Sequence, residues 1–288
     1  MSRTVTRDRF PRETRIGDYI VERELRSEGT GLVYLAKHVV LPRLAAVKVM
    51  HGEQGYLKEM AVHMLREACL VDALSHPGIP RVYECGVLPD RRPWTAFEYV
   101  EGEGLDRSIG ETPLPVADVV VMMRDVADIL DHIHQRGIVH RNISSSSIVR
   151  TPQRRFAVTL VQWGEAHTLD TSESDVDPKD DVHELGRIAF RALTGSAATT
   201  GGLSTERYPG APGDVATLID QMMAVGHARP TSAEVRERAK WLADTLELVP
   251  IDPGRWTPQH IAPESIPDIE EVGAGFSIRI SGRTRTRG

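Results

Sequence analysis

A change of hydrophobic period near residue 115 is the feature that most limits the folds open to this chain. Before it, short β-branched segments broken by Gly and Pro recur around 19–25, 32–40, 44–50, 81–88 and 93–99. Segments of that length and spacing predict an antiparallel sheet. Between the third and fourth of them, Leu57, Met60, Ala61, Met64, Leu65, Ala68 and Val71 recur at helical intervals within 56–75, on or near one side. One helix should therefore interrupt the sheet. From about 115 the helical period takes over, with Val119, Met122, Met123, Val126, Ile129, Leu130 and Ile133 forming an apolar stripe that ends before Gly137, a residue suited to a helix C-cap. Further helices are predicted around 182–194, 212–225 and 231–247.

With 288 residues, 40% hydrophobic and 26% charged, the chain can bury a full core as one two-lobed domain or two small ones. The formal net charge of -6 argues against a nucleic-acid partner, which requires a concentrated basic face. Cys69 and Cys85 have apolar neighbours and no ligand spacing, so they are expected to be reduced core residues. No run approaches the roughly 18 apolar residues of a membrane span, and a cytoplasmic location is expected. Residues 1–15 are basic and lack periodicity, which predicts a flexible lead-in. Residues 248–288 are rich in Pro, Gly and charge and are expected to form a tail, with 276–280 as a short strand or docking segment.

Several motifs fall in one order along the chain. They are Leu25-Arg26-Ser27-Glu28-Gly29-Thr30-Gly31-Leu32-Val33, Ala45-Ala46-Val47-Lys48-Val49-Met50, Glu67, His76-Pro77-Gly78-Ile79, Phe97-Glu98-Tyr99-Val100-Glu101-Gly102, Val139 to Val149, Val161-Gln162-Trp163-Gly164, Asp180 to Gly186, and Arg229-Pro230-Thr231-Ser232. In order and spacing they resemble the eukaryotic-like (Hanks-type) serine/threonine protein kinases. The resemblance implies an α+β, protein-kinase-like bilobal fold over 16–247: an N-terminal antiparallel β-lobe with one main helix over 16–97, a hinge at 98–103, and a mainly helical C-lobe over 104–247.

The resemblance also implies a nucleotide pocket. Val33, Ala46 and Val149 would sandwich a base, backbone groups of Glu98 and Val100 would meet its edge, and Phe97 would narrow the space behind it. Lys48, held by Glu67, would reach the phosphates. His140 would join Val71, Tyr83 and Trp163 in a stack linking the lobes, and Asp181 would steady the loop 139–149.

The chemical positions depart from the family pattern. Asn142 stands for the Asp that accepts the substrate proton, and an amide has no useful basicity near neutral pH. Ser144 replaces the loop Lys, while Ser147 and Gln162 stand where magnesium ligands belong, and both are poor ligands for a small hard cation. Only the third glycine of the phosphate loop survives, as Gly31. Arg26 would attract phosphate if it turned inward, whereas Glu28 adds a negative charge there. Only 19 positions separate Gln162 from Asp181, too few for the usual activation loop. Thr168, Thr171, Ser172 and Ser174 within that interval are candidate phosphorylation sites. Arg229 lacks its usual Glu and is expected to meet an acidic residue of 173–177 or solvent.

These departures predict a pseudokinase that is not an enzyme. It would be a regulatory or scaffolding module in signalling, with protein partners such as an active kinase or its substrate. It would require no cofactor, bind ATP weakly at most, and have no need of magnesium. The alternative is an atypical serine/threonine kinase or nucleotidyl transferase using Lys48, Glu67 and relocated carboxylates such as Glu165 or Asp170.

Overall fold

The computed structural model describes residues 9–52, 57–110, 112–151, 153–154, 156–169, 176–197, 211–246, 269–272 and 275–278. The first half is a six-stranded antiparallel sheet of β1 (Arg15–Ile16), β2 (Tyr19–Glu28), β3 (Gly31–His38), β4 (Leu44–Met50), β5 (Val82–Val87) and β6 (Pro93–Glu98), in the order β1-β2-β3-β4-β6-β5. Period-two alternation gives the sheet two different faces. On one face Leu32, Tyr34, Ala36, Ala45, Val47, Val49, Trp94 and Ala96 close a core with Ile16, Tyr19 and Val21.

The other face belongs to the cleft, and the strand register sets what lies on it. Arg26 pairs with Val33, Val33 with Lys48, and Lys48 with Thr95, so these four form one row across the sheet. Gly31 allows β3 to run close to β4, since a Cβ there would lie 2.3 Å from the Val49 carbonyl oxygen.

Helix α1 (Leu57–Asp72) packs against β5 and β6. Its buried side is narrower than the periodicity suggests. Met64, Glu67, Ala68, Leu70 and Val71 are buried, but Leu65 is half exposed. Cys69 and Cys85 are free and exposed, contrary to the expectation of core thiols. The basic lead-in is docked from residue 9 onward. The Phe10 N–H donates to the Tyr34 hydroxyl at 3.0 Å, the two rings meet edge to face, and Arg92 lies over the Phe10 ring. That aromatic anchor outweighs the flexibility expected from the surrounding charge.

Beyond β6, the short strand β7 (Glu103–Gly104) leads into α2 (Leu105–Ser108) and α3 (Val116–His134). α3 is the axis of the second lobe. Val119, Val120, Met123, Val126, Ala127, Ile129, Leu130 and Ile133 have no exposed surface, and each larger aliphatic among them contributes roughly 2 kcal/mol relative to exposure. α3 is covered by α4 (Pro178–Thr194) and by a later helix, Ser232–Thr245. Among the described residues, α5 (Gly213–Met222) lies between these two in the chain and packs on α4, and Ser232–Thr245 is α6. α6 opens on a complete capping box between Thr231 and Glu234, a device worth about 1 kcal/mol.

Short strands complete the lobe. β8 (Ile138–Val139) pairs with β11 (His167–Thr168), while β9 (Ile148–Arg150) lies between β7 and β10 (Val158–Leu160). Gly102, just before β7, is pressed against β9, because a Cβ there would lie 2.2 Å from the Arg150 carbonyl oxygen. In the C-terminal segment β12 (Ile269–Val272) pairs with β13 (Gly275–Ile278). Residues 279 and 280 of the predicted strand lie outside the described residues. An N-terminal sheet lobe with one main helix, followed by a helical lobe, is the architecture that the motif order implied.

Candidate functional site

Between the lobes lies a cleft of about 330 Å³. Its walls include Val33 and Ala46 from the sheet, Phe97, Glu98 and Val100 from the hinge, and Val149 from β9. Lys48, Glu67, Glu28, Arg26, Ser146 and Gln162 also line it. All eight residues that the resemblance placed at a nucleotide pocket therefore reach one cavity.

Lys48 lies at its inner end, 3% exposed. Its ammonium donates to Glu67 at 2.8 Å, the pairing expected from the sequence. A second partner was not foreseen: the Glu28 carboxylate stands 3.0 Å from the same ammonium. Glu28 in turn accepts from Arg26 Nε at 2.8 Å, so Arg26 is turned onto Glu28. Burial would lower the Lys48 pKa, but Glu67 and Glu28 together outweigh it and hold the value raised. Burial pushes the Glu28 carboxyl up, yet Lys48 and Arg26 overcome this and leave it below its ordinary value. The even spacing of Arg26 and Glu28, both on the face of Lys48, was the available signal for this contact.

The opposite wall is the loop from Val139 to Val149. Two of its serines, Ser144 and Ser147, are spent on the loop itself. The Ser147 hydroxyl donates to the Ser144 carbonyl at 3.0 Å and accepts from the Ser144 N–H at 2.9 Å, and the Ser144 hydroxyl accepts from the Ser147 N–H at 3.2 Å. Ser147 is fully buried in this turn. The Gln162 amide donates to the Ser146 carbonyl at 3.2 Å from a left-handed backbone position, φ 68°. Asn142, Ser144 and Ser147 do not line the cleft.

The loop is braced from behind by Asp181, in the first turn of α4. Its carboxylate accepts from the His140 N–H at 2.8 Å and the Arg141 N–H at 2.9 Å. It also meets His134 Nε2 at 3.0 Å, and His134 Nδ1 lies 2.9 Å from the Ser232 hydroxyl. His140 is buried, with Nε2 donating to the Val161 carbonyl and Nδ1 accepting from the Asn142 N–H. That arrangement needs the neutral ring, and burial lowers its pKa to about 4. Its ring meets Trp163 edge to face at 4.6 Å.

Three further expectations meet the structure differently. Tyr83 does not join the stack between lobes: it packs on the outer sheet core under Arg43. A register shift between Val82 and Glu84 changes the alternation there. Arg229 pairs with Asp180 at 2.9 Å and also donates to the Lys179 carbonyl, while Glu173 and Asp175 of the expected stretch lie outside the described residues. Among the suggested relocated carboxylates, Glu165 is exposed and does not line the cleft, while Asp170 lies outside the described residues, as do Thr171, Ser172 and Ser174. Thr168 is in β11, paired with Ile138.

Comparison with known proteins gives the class. The protein kinase domain family matches residues 19–201, and the chain belongs to that family. It is 30% identical over 254 residues to the serine/threonine-protein kinase PknJ of Mycobacterium tuberculosis, an alignment covering 80% of this chain and 41% of that protein. The serine/threonine-protein kinase Pkn1 of Myxococcus xanthus is 30% identical over 205 residues, covering 63% of this chain and 29% of Pkn1. The chain thus spans well under half the length of these relatives. The crystal structure of the Mycobacterium tuberculosis PknI kinase domain superposes with a TM-score of 0.63 at 24% identity, over 83% of this chain and 99% of that one, a likeness of fold.

These findings correct one expectation drawn from the sequence. The altered side chains at 142, 147 and 162 had placed the chain outside the enzymes, yet its family is that of protein kinase domains and its relatives are named serine/threonine kinases. Among the described residues no helix is long and apolar enough to cross a membrane.

Proposed function

We propose that this chain is the kinase-fold module of a serine/threonine-kinase signalling protein, with a nucleotide held weakly and independently of magnesium between its lobes. It acts through contacts with partner proteins: a substrate or another kinase. The observation that carries this reading is the contrast within one cleft. Val33, Ala46 and Val149 offer apolar walls of the right size for a base, and Lys48 lies at the inner end. On the other side, the Ser147 hydroxyl is turned into its own loop and Gln162 offers an amide bound to Ser146. These groups do not fit magnesium, which holds its water tightly and favours carboxylate oxygen.

Thermal melting with ATP, with and without magnesium, tests the proposal. A small stabilisation of equal size in both conditions is expected. A large shift that appears only with magnesium would overturn it. Turnover is measured in the same preparation as labelled phosphate appearing in protein, with Lys48→Ala as the control.

A further inference from the structure

The cations at the inner end of the cleft already have carboxylate partners. Lys48 is shared by Glu67 at 2.8 Å and Glu28 at 3.0 Å, and Arg26 is bound to Glu28 at 2.8 Å. Gly164 closes another side, since a Cβ there would lie 3.2 Å from the Lys48 ammonium. The remaining cations lining the cleft, Arg23 and Arg107, are exposed at its rim. Two cations therefore face two carboxylates where an anionic ligand would have to be neutralised. A phosphate chain must displace Glu28 from Lys48 or lie beside a carboxylate in a partly desolvated space, where repulsion is stronger than in water. The apolar walls at Val33, Ala46 and Val149 have no such dependence on ligand charge.

We infer that Glu28 is a built-in anionic plug on Lys48, which makes the cleft select an uncharged ring ligand of the nucleoside class over the corresponding triphosphate. This rests on the reading of the cleft as a nucleotide site. Glu28 suits the role because its carboxylate is 18% exposed, against 5% for Glu67, and it stands at the hairpin end of β2. It can leave Lys48 without unpacking α1.

Calorimetric titration of the whole chain with adenosine and with magnesium-free ATP, for wild type and Glu28→Gln, provides the test. Wild type should bind adenosine at least as tightly as ATP. Glu28→Gln should tighten ATP about tenfold and leave adenosine within about twofold, a tenfold change corresponding to about 1.4 kcal/mol. Wild type binding ATP tenfold more tightly than adenosine would overturn the plug even if the variant fails to fold. Adenosine binding with an unchanged ATP affinity in folded Glu28→Gln also overturns it, while leaving the nucleotide cleft in place. If wild type binds neither ligand, both readings fall.

Discussion

The two walls of the cleft use charge in opposite ways. On the wall made by the sheet and α1, Arg26, Glu28, Lys48 and Glu67 are linked one to the next and face the cavity. On the loop wall the groups nearest the cavity are neutral, and the decisive charge, Asp181, lies behind the backbone. A charge facing the cavity can exchange its partner for a ligand. A charge behind a loop fixes its shape and leaves its front to whatever side chains stand there. The comparison explains how Asp181 holds the loop at 139–149 in form from behind, through the backbone of His140 and Arg141.

The largest expected effect lies on the loop wall. Asp181→Ala leaves two backbone N–H groups and His134 without their acceptor and should cost about 3–5 kcal/mol, read as a lowered denaturation midpoint. An Asp181→Ala protein as stable as wild type would break the contrast.

Acid should separate the walls next. His140 is neutral when folded, with a pKa of about 4 against 6.5 for the free side chain. Between those values the unfolded chain binds the extra proton, so stability falls as pH drops through that window and levels off below it. The loss attributable to His140 is roughly 3 kcal/mol, at about 1.36 kcal/mol per pH unit. Glu28, whose pKa is lowered, contributes stability above the ordinary 4.5 that is lost only as pH falls through its folded value. Denaturation monitored at a series of pH values should therefore show the loop wall weakening first, and His140→Phe should flatten the upper part of the profile.

Lys48→Met removes the shared cation and leaves two carboxylates facing each other, at an expected cost of about 2 kcal/mol. Double substitution with Glu28→Gln should recover part of that cost, because the walls differ in whether their charges form one coupled set. The smallest effect on stability, within about 0.5 kcal/mol, is expected for Gln162→Asp, which changes a group at the cavity surface. Its visible result should be a nucleotide-induced melting shift that now depends on magnesium.

Much of this was legible in the chain. The change of period near 115 gave the lobes, because it follows from repeating local geometry, whereas the contact of Lys48 with Glu67 was implied by the family resemblance of the motifs that carry them. The second hold on Lys48 was harder to read. It depends on the hairpin laying Glu28 opposite Gly31, and Gly31 opposite Met50, so that the carboxylate reaches Lys48 across two strands, a pairing that even spacing hints at and only the folded sheet fixes. A register shift between Val82 and Glu84 misplaced Tyr83. Leu65 and the two cysteines were misread because burial depends on how much of a helix or strand its neighbours cover. Arg229 found Asp180 through tertiary folding that no linear spacing records.

The closeness of Gly102 to the Arg150 backbone has a mechanical meaning. Together with the pairing of β7 to β9, it fastens the far side of the hinge to the helical lobe, while the Glu98 N–H to the Arg81 carbonyl fastens the near side to the sheet, and Arg154 of the helical lobe reaches back across the hinge to the Glu98 carboxylate. The stretch able to flex is thereby shortened to residues 99–101. With so short a pivot, the lobes move as two levers on one axle, and small torsions at Tyr99, Val100 and Glu101 become large changes in the width of the cleft mouth.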